Sequence, residues 1–163
     1  MSPTGHLAIG FAAKKWETKV PLIWLLIGAY LIDLVYLCFQ ALGIEEFGNN
    51  PWSHSLLMAF VYSSLAGILT WFFTKHQRSA ILMGLVVMSH WILDFIVWNN
   101  LSLAFEPNPS MGLGLYQWIG FDINALTLNM SMFISTGLEL GMLVLGIVIY
   151  IGSRKNKSTI KVA

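Results

Sequence analysis

The chain has 163 residues, 56% of them hydrophobic and only 10% charged, where a soluble domain of this length carries roughly 25% charged residues. With a mean hydropathy of +0.69, composition excludes an ordinary soluble enzyme and points to one small helical domain in a membrane. The formal net charge of +1 says nothing about partners, no feature calls for nucleic acid, and the single cysteine, Cys38, excludes an intrachain disulfide.

A spanning helix needs about 20 apolar residues. In chain order, the first apolar piece, Pro3–Ala13, is too short. At 1.5 Å per residue it reaches only about half-way across the hydrocarbon core. It reads as a half-helix entering a bundle or as an interfacial helix. Its Lys pair follows the apolar run instead of preceding it, unlike a secretory signal, so the segment is expected to stay in the mature protein. Four stretches of spanning length follow: 20–42, 53–74, 79–98 and 130–151. The expectation is an all-α integral membrane protein, with four transmembrane helices and the N-terminal piece forming a single domain over 1–152. "GIEEFGNNP" (43–51) is a polar turn, and "KHQR" (75–78) a short basic one. The long loop 99–129 contains "GLGLYQWIGF", which reads as a short interfacial helix with Tyr116 and Trp118 at headgroup level. The tail 153–163 is basic, polar and expected to fray.

The nine Lys and Arg residues fall at 14, 15 and 19, at 75 and 78, and at 154, 155, 157 and 161. Four spans place these groups on one side and Glu45, Glu46, Glu106 and Asp122 on the other, as solvated loop residues. The positive-inside rule puts the basic side, including the C-terminus, in the cytoplasm.

Against this background the ionisable residues inside apolar stretches stand out. Asp33 lies mid-way to outer in the first span, His54 opens the second, His90 and Asp94 sit in the outer half of the third, and Glu139 is near mid-depth in the fourth. An Asp at the centre of a membrane helix costs roughly 2.5–3.5 kcal/mol on insertion scales. All of these fall in one half of the bilayer. His6 joins them only if the N-terminal piece inserts: it is eight residues before Lys14, so roughly 12 Å deeper by the helical rise. His90 and Asp94 are four apart and share a helix face. Three or four His and carboxylate groups suit Zn, with Mn or Fe as alternatives. An ion with an open position brings the pKa of bound water toward about 7. Ser53 and Ser89, each preceding a His, read as hydrogen-bond partners of the ring or as helix caps. Each residue also has a plainer reading. His54 suits an interfacial position, His90–Asp94 a structural hydrogen-bonded pair, and Glu139 a carboxylic acid bonded to Ser135. It is the joint pattern that favours metal.

"TGHLAIGFAAKK", "AYLIDLVY", "PWSHSLLMA" and "SHWILDF" follow one another in the order of a known motif set. The chain resembles the YdjM-like family of predicted inner-membrane metal-dependent hydrolases over roughly its first 150 residues. By that resemblance the metal residues would be His6, Asp33, His54, His90 and Asp94. The second motif here has one Asp, where better-known members have Pro-Asp-x-Asp. The resemblance implies a bacterial inner-membrane protein with a divalent metal, Zn before Mn or Fe.

Three functions compete. A metal-dependent hydrolase would act on a lipid or lipid-linked ester or phosphoester at the outer leaflet, with Glu139 as general base or as a ligand from the fourth helix. A non-catalytic subunit of a larger membrane complex, or of a homo-oligomer, would use the same groups as a structural cluster. A transporter would use the carboxylates as relays, but there is no internal repeat.

Overall fold

A computed structural model describes residues 3–46, 50–105, 110–120 and 130–160, with the side chains of Pro3, Met130–Met132 and 155–160 left aside. Glu106, Asp122, Lys161 and the side chains of Lys155 and Lys157 therefore lie outside the described residues. Among the described residues the protein is an all-α bundle with three helices long and apolar enough to cross a membrane, or four if one bent pair is a single span. The helices are α1 (Pro3–Ala13), α2 (Leu22–Ala29), α3 (Leu31–Ala41), α4 (Pro51–His54), α5 (Leu56–Thr74), α6 (Gln77–Val97), α7 (Leu115–Trp118) and α8 (Met130–Ile160). A two-residue antiparallel pair, β1 (Leu101–Ser102) and β2 (Ser110–Met111), lies between α6 and α7. Phe60, Ile68 and Phe72 of α5, with Val144 and Leu145 of α8, are exposed large apolar side chains. Such a surface suits lipid or another apolar partner.

The expected first span is not one continuous helix. It bends by 57° between α2 and α3. No proline causes the bend, which falls just past Gly28. There a Cβ would meet the Met83 sulfur at 2.6 Å, so the glycine lets α2 press against α6. The expected second span is also interrupted. Pro51 opens α4, and Ser55 is extended (φ −71°, ψ 154°) before its hydroxyl caps α5 by accepting from the Met58 N–H at 3.3 Å. Irregular backbone at membrane depth is tolerated where it lines a protein-enclosed site. Both interruptions do so.

The N-terminal piece is a helix packed into the bundle against α2, α6 and α8. Gly146 of α8 makes this approach possible, since a Cβ there would strike the Ala8 backbone. α8 itself runs to Ile160, so the basic stretch expected to fray continues the helix. Its Lys, Arg, Asn and Ser residues cost a helix little.

The basic residues gather at one end. The Lys14 ammonium donates to the Val20 carbonyl at 2.6 Å. Lys19 and Thr74 line one groove, and Phe11 meets Tyr150, whose ring also carries the Arg154 guanidinium. Glu17 organises this end by accepting from the N–H groups of Lys19 (2.6 Å) and Val20 (3.0 Å). Burial opposes its charge, but the Val20 N–H, the Ser79 hydroxyl, the Lys19 N–H and Lys14 outweigh that and hold its carboxyl below the ordinary range. A depressed folded-state pKa stabilises above the unfolded value, and that stability is lost as pH falls through the folded value. Thermal stability in detergent is therefore expected to drop on acidification below about pH 4.5, the ordinary Glu value, with a smaller drop in Glu17→Gln. Equal acid sensitivity in both proteins would contradict this role.

The long loop caps the opposite end. The Leu57 N–H donates to the Leu103 carbonyl at 3.1 Å, Leu113 to Phe95 at 2.7 Å, and Gly114 to Trp98 at 3.1 Å. Tyr116 is buried within the protein, while Trp118 is 84% exposed. Gly112 has φ 134°, and a Cβ there would run into the Trp98 carbonyl. Gly112→Ala is expected to cost at least on the order of 1–3 kcal/mol, read as a lower melting temperature. An unchanged melting temperature would show that the cap carries no such strain.

Candidate metal centre

Each side chain of the centre is delivered by a different local device. α1 brings His6, the first turn of α3 brings Asp33, the end of α4 brings His54, and one face of α6 brings His90 and Asp94. The five converge. His6 Nε2 lies 3.5 Å from Asp94 Oδ1. His54 Nε2 lies 3.3 Å from Asp33 Oδ1 and 3.7 Å from Asp94 Oδ2. His90 Nε2 lies 3.4 Å from each of Asp33 Oδ1 and Asp94 Oδ2. The His6 and His90 rings stack with centroids 3.6 Å apart and planes 11° apart. Two overlapping trios, His6–Asp33–His90 and His54–His90–Asp94, each hold their ligand atoms within 4.8 Å of one another. His90 is fully buried and His6 and Asp94 nearly so; the Asp33 side chain keeps 18% of its surface exposed.

The surrounding hydrogen bonds decide which nitrogens carry protons. His90 Nδ1 lies 3.0 Å from the Ala29 carbonyl. A carbonyl only accepts, so Nδ1 carries the hydrogen and Nε2 presents its lone pair to the two carboxylates. Ala29 is the last residue of α2, and the carbonyls that end a helix lack a partner in it. The bend thus supplies the acceptor that orients His90. On the other side, Ser53 Oγ donates to Glu45 Oε2 at 2.7 Å and lies 2.8 Å from His54 Nδ1. With its one hydrogen on the carboxylate, the hydroxyl accepts from Nδ1–H, and His54 Nε2 is also left with its lone pair. The Trp91 indole N–H holds the His54 carbonyl at 2.9 Å, fixing the turn that carries the ring.

Both nitrogens of His6 and Nε2 of His90 are buried without a hydrogen-bond partner, a rarity that needs a cause. Lone pairs of two imidazoles converge on carboxylate oxygens, an arrangement that repels unless a cation or added protons lie between them. The donor set, three imidazoles and two carboxylates, matches divalent Zn, Mn or Fe. These buried His and Asp groups can hold a metal ion.

Glu139 belongs to an adjacent cluster. Its Oε1 accepts from the Tyr116 hydroxyl at 2.7 Å and its Oε2 from the Thr4 hydroxyl at 3.1 Å. It thereby ties the loop cap and α1 to α8. Burial, reinforced by the bond to Glu139, pushes the Tyr116 phenol well above its ordinary range, so it remains a neutral donor. Neither metal trio includes Glu139. Glu45, expected to be solvated, is instead 3% exposed and accepts from the N–H groups of Trp52 (2.6 Å) and Ser53 (2.9 Å). Its position in a polar turn gave no sign of this; the one available signal was Ser53, eight residues on.

Comparisons with family models, curated proteins and solved structures gave no match to this chain.

Proposed function

We propose that the chain is a membrane-embedded metal-dependent hydrolase acting on a lipid or lipid-linked ester or phosphoester, in line with its resemblance to the YdjM-like family. The observation that carries the reading is the convergence of two imidazole lone pairs and two carboxylates, with the imidazole tautomers fixed from behind. His6, Asp33, His54, His90 and Asp94 would hold the ion. A divalent ion there polarises an ester or phosphoryl oxygen and acidifies water. Asp33, the most exposed of the five, marks the side on which a substrate enters. Glu139 would serve as general base, held in place by the Thr4 and Tyr116 hydroxyls. A groove of about 490 Å³, lined by Trp24, Gly28, Leu31, Phe73 and Met83 and by Lys19 at the basic end, reaches within two residues of Asp33. Its apolar walls suit an acyl chain. The centre lies toward the end opposite the basic residues; with the basic end cytoplasmic by the positive-inside rule, it would open in the outer half of a bacterial inner membrane.

The near-complete burial of the histidines favours a second reading, a structural metal or hydrogen-bond cluster in an accessory subunit of a membrane complex. Activity separates the two. Protein loaded with Zn, Mn or Fe is expected to hydrolyse at least one member of a panel of phospholipid esters and phosphoesters in mixed micelles, and His90→Ala to release nothing above background. Metal-loaded protein inert on the whole panel, and recovered in fixed ratio with a larger protein, would favour the subunit reading.

A further inference from the structure

The mechanism leaves one buried carboxylate without a task. Glu45 lies beyond α3, in a turn that packs on α4, and is buried with both oxygens engaged. Oε1 takes two backbone N–H groups of α4, and Oε2 takes the Ser53 hydroxyl, whose oxygen faces His54 Nδ1. Holding the α4 turn needs only Oε1. Oε2 acts on something else, namely the direction of one hydroxyl hydrogen.

We propose that Glu45 is a positioning residue that sets the tautomer of His54 through Ser53, so that His54 Nε2 is available as a metal ligand. The argument rests on the metal reading above and on the valence of each atom in the chain. Both Glu45 oxygens accept, Oε1 from two backbone N–H groups and Oε2 from the Ser53 hydroxyl, so the hydroxyl hydrogen lies on Glu45. The hydroxyl has one hydrogen, so its oxygen can only accept from the ring. Nδ1 therefore carries the ring hydrogen, and Nε2 faces Asp33 and Asp94 with a lone pair. Partners behind a metal-bound histidine commonly fix its tautomer and orientation, and their loss costs about 10–100-fold in metal affinity. His90 gets the same service from a backbone carbonyl, which no side-chain substitution removes. His54 gets it from two side chains, so its ligand state is the one that mutation can reset.

Glu45→Gln is the decisive variant. Its amide oxygen still accepts from Trp52 and Ser53, so α4 stays capped. Its NH₂ now faces Ser53 Oγ as a donor and turns the hydroxyl hydrogen toward His54 Nδ1. The ring hydrogen moves to Nε2, where it blocks the lone pair. Ser53→Ala is the second variant: it removes the hydroxyl but keeps Glu45 on both backbone N–H groups. The experiment has two readouts, ¹⁵N chemical shifts of the His54 ring in metal-free protein and Zn affinity by chelator competition. Wild type is expected to show the hydrogen on Nδ1. Glu45→Gln is expected to show it on Nε2, with Zn affinity down by about 10–100-fold and the melting temperature of the metal-free protein kept. Ser53→Ala is expected to lose Zn affinity over the same range, which keeps the test alive if Glu45→Gln fails to fold. Zn bound by wild type and by both variants with equal affinity, or a His54 tautomer unchanged by Glu45→Gln, would overturn the proposal. Wild type that binds no metal at all would instead defeat the metal reading, and the ring shifts would still decide whether Glu45 governs His54.

Discussion

Asp94→Asn is expected to weaken divalent-metal binding by more than about 100-fold, beyond the loss seen when a supporting partner behind a ligand is removed, while the helical fold persists. Asp94 is the one residue that addresses all three histidines, with Oδ1 toward His6 and Oδ2 toward His54 and His90. An amide removes its negative charge and offers one oxygen where there were two. Its NH₂ can donate to an imidazole lone pair, so the buried ring gains a hydrogen-bond partner in place of an ion. That substitution is why the fold should survive; removing one member of a buried charged set without replacement costs about 3–5 kcal/mol. Chelator competition gives the affinity, and circular dichroism with a thermal melt gives the fold. Wild-type affinity in Asp94→Asn would remove Asp94 from the centre.

Gly146→Val is expected to disable the centre from a distance. A Cβ on Gly146 would strike the carbonyl oxygen of Ala8 and lie 2.8 Å from its Cα. These are backbone atoms in the middle of α1, so the helix must move as a unit. Overpacking of this kind costs about 1–3 kcal/mol or more. α1 carries both His6, which faces Asp94, and Thr4, which donates to Glu139. Displacing it withdraws one ligand and loosens the neighbouring carboxylate together. The expected result is a lower melting temperature and a metal affinity reduced by at least about 10-fold, the lower range for disturbed outer partners. Gly141→Ala is the matched control on the same helix. A Cβ there meets nothing within 4 Å, and exchanging Gly for Ala in a helix gains up to about 1 kcal/mol. Full metal affinity in Gly146→Val would mean that α1 is not needed to build the centre.

The residues of the centre were legible because lipid makes them anomalous. Asp33, His90 and Asp94 each interrupt an apolar run, and the i, i+4 spacing of the last two survives in any helix. The inserted position of α1 was legible only as one of two options, since an eleven-residue, mostly apolar segment fits a half-helix or a surface segment. Packing decided it, through Gly146 and Gly10, whose Cβ would come within 2.9 Å of Leu26. The bend at Tyr30 was not legible. No proline or paired glycine marks it, and the close approach beside it, Gly28 on Met83, joins residues 55 apart in sequence. Glu45 was hidden for a related reason. A Glu-Glu pair beside Gly and Asn looks solvated, and only the folded turn shows that one of the two points inward. Tyr116 and Trp118 read alike in the sequence, and only the fold shows that Tyr116 is buried with its hydroxyl on a carboxylate.

The central claim is that the five converging side chains hold an ion. The metal content of wild-type protein, purified in detergent without added chelator and read by elemental analysis, tests it most directly. Roughly one Zn, Mn or Fe per chain is expected, as tight sites retain their ion through purification. Wild-type protein that contains none, and takes up none when the metals are supplied, would contradict it, and the histidines and carboxylates would then share protons instead.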